Sequence, residues 1–226
     1  MVSILLLVVI YMSFISLGLP DSMLGAAWPM IYPTIGADVS MAGFISMTAC
    51  IGTVISSLSF SRIARRFSTR VITAVSIFVT SFALFLMSKA TSIYMMLPIS
   101  LLLGLGGGCV DSALNNYVSL HYSTGAMSFL HGFWGVGTTI GPILLGILIP
   151  LGYTWRTGYV SISAIQGVIL ILSILAFPLW KLKEKEYKEE GVSEDDIKVV
   201  GTKEAIKRNG AIFALLGFFA YCALEN

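Results

Sequence analysis

Apolar runs long enough to cross a bilayer recur along the chain, separated by short polar breaks. About 20 apolar residues make one helical crossing. By that measure the pattern predicts six spans, near 2–32, 41–60, 71–88, 92–119, 126–150 and 158–180, and the start of a seventh at 210. The first and fourth exceed one crossing, which predicts tilt, bend or projection. Pro20 and Pro29 are placed to kink the first. Between 181 and 209 the pattern breaks into "KLKEKEYKEEGVSEDDIKVVGTKEAIKRN", with eight basic and eight acidic residues. This predicts a solvated connector, partly helical through Glu/Lys neighbours. The expected organisation is a six-helix unit at 1–180, the connector at 181–209, and 210–226 as the start of a seventh helix. A missing second half, in a fragment or an early-terminated reading frame, is the expectation. "MVSILLLVVI" lacks the basic n-region of a signal peptide and continues apolar past residue 30, so it is read as the first span.

Composition makes the class firm. The 226 residues have a mean hydropathy of +0.87 and are only 12% charged, against about 25% in soluble domains. The predicted fold class is an all-α membrane protein. A net charge of +2 and the lack of a basic stripe argue against a nucleic-acid partner. Cys50, Cys109 and Cys222 lie far apart in apolar runs, so neither a disulfide framework nor a metal site is indicated. No nucleophile–base–acid set appears in a loop, so no enzymatic chemistry and no cofactor are expected.

Charge also orients the chain. With the N-terminus in the cytoplasm, the loop "SRIARRFSTR" (Arg62, Arg65, Arg66, Arg70) and the connector face inward, leaving only Lys89 and Arg156 outside. That distribution obeys the positive-inside rule. The expected location is the plasma membrane, in several passes.

Chemistry resides in the acids. Eight of the 12 Asp/Glu sit in the connector and Asp38 in an outer loop, leaving Asp21, Asp111 and Glu225 within spans. An ionised Asp at the centre of a membrane helix costs roughly 2.5–3.5 kcal/mol, so such an acid is a functional candidate by default. Desolvation favours the protonated carboxyl, which suits a group that binds and releases protons. Asp21 and Asp111 also share a phrase. "GLPDSML" at 18–24 and "GCVDSAL" at 108–114 both read G-x-x-D-S-x-L. No Lys or Arg lies between Lys89 and Arg156, so an ion pair within these spans is not expected.

Asp111, Asn115 and Ser119 fall on one helical stripe, flanked by Ser112 and Asn116. An amide offers donors and acceptors together, which suits a hydroxyl-rich solute. Asp21, Gly25 and Trp28 share a face in the first span. Trp28 is open to two readings, a stacking surface for a solute or an interfacial belt residue. "GLGGG" at 104–108 and the G-x-x-x-G of Gly137 and Gly141 read as close helix packing rather than a phosphate cradle. His131 shares a face with Gly135 and Thr138, as a proton relay or a packing histidine.

The six-span unit, the charged mid-loop and the Arg-rich loop after the second span together resemble the major facilitator superfamily. The resemblance implies two inverted three-helix repeats in which the first and fourth spans correspond. The two acidic phrases then occupy equivalent spans lining a central cavity. The loop signature, roughly G-x-L-A-D-R-x-G-R-R, survives at 61–70 as "SRIARRFSTR", with both Gly replaced by Ser and the Asp by Arg65. "GLGGGCVDSALNNYVSL" and "FFAYCALEN" are similar to the fourth and seventh spans of the fucose/glucose–proton symporter branch.

That branch implies a proton-coupled carrier of small polar solutes, with sugars first. Asp111 and Asp21 would handle protons. Asn115, Asn116, Trp28, His131 and Glu225 would shape the solute site, and Arg62, Arg65, Arg66 and Arg70 the gating loop. The expected partners are solute, protons, the lipid bilayer and the missing C-terminal half. "GTTIGPILLG" partly fits the drug–proton antiporter branch, which expects an Arg in the fourth span that is absent here. A non-transporting membrane remnant is the third reading.

Overall fold

The computed structural model describes residues 2–182 together with 210, 212–213 and 216–217. The chain divides into two compact units, 1–184 and 185–226, and among the described residues of the first there are seven helices. Most of the connector and the seventh apolar run, including Glu225, lie outside the described residues. The helices are α1 (Val2–Asp21), α2 (Met23–Ile35), α3 (Met41–Ala64), α4 (Thr69–Lys89), α5 (Ile93–His121), α6 (Thr124–Leu148) and α7 (Trp155–Leu175). They supply six candidate membrane spans, α1 and α2 together forming the first, with no strand among the described residues.

The first span breaks at Ser22, two residues after Pro20, although α1 itself runs through that proline to Asp21. The matching phrase in α5 has Val110 in place of Pro20, and its helix runs unbroken. Gly36 closes α2 in the left-handed region, with φ 65° and its N–H donating to the Tyr32 carbonyl. Asp38 Oδ1 then accepts from the N–H and Oγ of Ser40, at 2.8 and 2.7 Å. Those two bonds hold this exposed carboxyl below the usual carboxylate range and set the turn into α3. Ser123 caps α6 by accepting from the Ala126 N–H.

The packing order is that of two interlocked repeats. The second span, α3, packs mainly on α5, and the fifth, α6, packs mainly on α1. The third and sixth spans, α4 and α7, pack on each other. Small residues make these seams close. A Cβ on Gly108 would sit 2.6 Å from the Thr53 carbonyl oxygen, and one on Gly137 would sit 3.0 Å from Gly18 Cα.

Apolar side chains gather into two cores. One contains Trp28, Ile31, Met87, Trp155 and Tyr159. The other contains Leu6, Phe14, Leu114, Tyr117 and Trp180. A polar seam fastens α7 to α1 and α4. Gln166 Nε2 donates to the Ser16 carbonyl at 2.6 Å, and Ser163 Oγ donates to the Ser81 carbonyl at 2.8 Å. In hydrocarbon such groups find partners on neighbouring helices.

Candidate functional site

A cavity of about 290 Å³ lies among the middles of α3, α4 and α5, bounded by α1 and α6. Its polar lining comes from Asp21, Asp111, Thr53, Thr80 and Trp134, and no Lys or Arg lines it. Asp21 is exposed and Asp111 half-buried. The two carboxyls lie within electrostatic reach of each other, and His131 within reach of Asp111.

The repeated phrase has a physical division of labour. In each copy the first Gly lets a neighbouring helix approach to backbone contact. Gly18 lies against Trp134, Gly137 and Thr138 of α6, and Gly108 against Thr53 and Ser56 of α3. In each copy the Ser bonds across that same seam. Ser22 Oγ donates to the Thr138 carbonyl, and Ser112 Oγ to Ser57 Oγ at 3.2 Å. The Asp between them lines the cavity. Gly and Ser thus fix the seam that aims the acid.

The two acids have different partners. Trp134 Nε1 donates to Asp21 Oδ2 at 2.8 Å. Asn115 Nδ2 donates to Asp111 Oδ1 at 2.8 Å, one helical turn away on α5. The Asn115 Oδ1 is buried and accepts no hydrogen bond among the described residues. An indole N–H only donates, whereas an amide can donate or accept after turning over.

Other residues singled out by sequence sit elsewhere. Trp28 is buried in the first apolar core, donates from Nε1 to the Val39 carbonyl at 2.8 Å, and does not line the cavity. Asn116 is exposed beside the stripe, and its carbonyl accepts from Ser119 Oγ at 2.8 Å. His131 is exposed and meets the Phe14 ring edge-on, with centroids 5.9 Å apart. Arg62, Arg65 and Arg66 are exposed around the α3–α4 turn, and Arg70 is half-buried in the first turn of α4. None of the four Arg lines the cavity. Glu225 lies outside the described residues.

Sequence reasoning passed over Trp134, Thr53 and Thr80. For Trp134 the signal was only a shared face: it stands four residues before Thr138 on α6, and packing alone brings that face to the first acidic phrase. Thr53 and Thr80 carried none, because single hydroxyls are common in membrane helices.

Six bilayer-length spans, five of which line a central cavity holding two carboxyls, define a multi-pass membrane protein. The chain belongs to the major facilitator superfamily, whose family pattern matches residues 10–224. It is also similar to "Bypass of stop codon protein 6" of Saccharomyces cerevisiae (strain ATCC 204508 / S288c), at 25% identity over 216 residues. That alignment covers 90% of this chain and 42% of the yeast protein, so the chain spans less than half the length of the curated relative it matches. The family is one of membrane transporters.

Proposed function

We propose that this chain supplies the proton-handling half of a secondary transporter for small polar solutes, sugars being the first class to test. The observation that carries it is the pair of carboxyls lining one cavity that no Lys or Arg lines. Two such acids cannot both stay ionised cheaply at membrane depth, so protons are the natural counter-charge. The resemblance of the fourth span to the fucose/glucose–proton symporter branch supports the same reading.

Within that reading the acids divide the work. Asn115 can bond Asp111 in either protonation state, donating to the carboxylate or accepting from the protonated acid once its amide turns over. Asp111 is therefore the proton carrier. Trp134 can only donate, so it holds Asp21 as an acceptor aimed at solute hydroxyls. Asn116, on the exposed side of the stripe, and His131, near Asp111, would meet solute from the open side. A second bundle facing this cavity is the partner that the proposal adds. The N-terminus is cytoplasmic in the proposal, with the Arg62–Arg70 turn at the inner face of the plasma membrane.

Uptake into proteoliposomes that hold the chain together with its second bundle, with and without an imposed pH gradient, tests the function. Solute accumulation that follows an inward proton gradient is expected. The apolar share of the lining, with Leu17, Pro20, Ala49 and Leu103, favours one second reading, an antiporter for hydrophobic compounds. In that case an inward proton gradient would drive export instead. For the first reading, Trp134→Phe should weaken solute affinity about tenfold, the lower end for one hydrogen bond to a charged group. The KM for uptake reports this, and an unchanged value would remove Trp134 from the site.

A further inference from the structure

A second cavity, of about 350 Å³, lies where α4 ends and α7 begins, lined by Ser88, Lys89, Arg156, Thr157 and Val160. Both of its charged groups are cations. Among the described residues the carboxylates are Asp21, Asp38 and Asp111. Asp21 and Asp111 line the central cavity, and Asp38 is bonded to Ser40. None of them lines this cavity, so two positive charges share it without a counter-charge from its lining.

The cations are held in place. Arg156 Nη1 donates to the carbonyls of Ser88 and Ala90, at 2.8 and 2.7 Å, and its guanidinium lies 4.3 Å from the Trp155 ring centroid. Those bonds cap the end of α4. They use Nη1, while Nη2 and Nε carry further N–H donors. Lys89 Nζ sits 5.5 Å from the Phe85 ring centroid. Arg156 and Thr157 belong to the first turn of α7, where the helix dipole adds positive potential.

An apolar surface leads away from this socket. Val160 lines it and is exposed, and Val168 and Ile171 are exposed further along α7. On α4, which packs against α7, Phe78, Phe82 and Phe85 are exposed. A cationic socket that runs into an apolar face, at the end of a membrane helix pair, has the polarity of a phospholipid. We propose that Lys89 and Arg156 hold the phosphate of a membrane phospholipid, with an acyl chain lying along the α4–α7 face.

The test uses the full chain, purified in a detergent free of phospholipid. Dioleoyl phosphatidylglycerol, dioleoylglycerol and inorganic phosphate are added separately. Melting temperature and lipid retained in native mass spectrometry are read. Phosphatidylglycerol is expected to be retained and to raise the melting temperature, and the other two are not. Lys89→Gln should weaken retention about fivefold, the worth of one basic residue near a phosphate-bearing surface, without changing the lipid-free melting temperature. Lys89→Arg should retain lipid like the parent protein, which separates charge from folding. Equal retention by Lys89→Gln would overturn the proposal. So would equal stabilisation by dioleoylglycerol, which means chain packing alone, or by inorganic phosphate, which means a free-anion site.

Discussion

Asp111→Asn is expected to eliminate solute accumulation driven by a pH gradient while leaving solute exchange across the membrane intact. The substitution keeps the side-chain volume and a partner for Asn115, so the cavity should keep its shape. It removes the one group whose neighbour can serve it in both protonation states. One proton moving down one pH unit releases about 1.4 kcal/mol, enough for about tenfold solute accumulation. The variant should lose that whole factor for each unit of gradient. Asp21→Asn should act differently, raising the KM while a residual response to the gradient persists. Proteoliposome accumulation and counterflow, measured side by side, separate the two outcomes. Gradient-driven accumulation surviving in Asp111→Asn would refute its role as carrier.

Gly104→Val should produce the largest loss of stability. A Cβ at 104 would collide with the Ala49 carbonyl oxygen and stand 2.8 Å from the Ala49 carbonyl carbon and 3.0 Å from the Thr53 nitrogen. These are backbone atoms of α3 and cannot swing aside as a side chain would. Opposite, Gly52 is pressed as tightly against α5, with Leu105 N 2.9 Å from where its Cβ would be. The helices must therefore separate along their closest seam. Overpacking costs about 1–3 kcal/mol, and the upper end applies where backbone meets backbone. For a chain of this size that corresponds to a fall of about 6–12 °C in melting temperature. Gly146→Val on α6, where a Cβ meets nothing within 4 Å, is the control and should leave the melting temperature unchanged. Thermal unfolding in detergent measures both.

The same seam links stability to the site. Thr53 lines the cavity, and its Oγ1 reaches the Gly104 carbonyl at 3.3 Å. Widening the α3–α5 contact would therefore move the wall that Thr53 contributes to the cavity. A partly folded Gly104→Val should lose solute affinity in step with its stability.

Much of the bundle was legible in the chain itself. A bilayer demands long apolar helices with internally satisfied backbones, and that demand acts on contiguous residues. Hence the spans, the polar breaks between them, and the role of glycines 104, 108 and 137 as packing surfaces could be read from local pattern. The repeated G-x-x-D-S-x-L phrase marked the two acids, because a carboxyl inside hydrocarbon stands out against its neighbours. Trp28 shows where local reading ends. Its periodicity put it on the face of Asp21, but its Nε1 donates to the Val39 carbonyl in the turn at Asp38–Ser40, and the ring is buried in the first core. Trp134 is the converse case. It is 113 residues from Asp21, and only the close approach of α6 to Gly18 makes it that acid's donor. Among the described residues the sequence by itself determined which segments are long and apolar enough to cross a membrane and which acids lie in them, since solvation in lipid is a property of each segment. The tertiary structure decided which donor each acid receives and that both line one cavity, since hydrogen bonds and enclosed space depend on residues that meet only when helices pack.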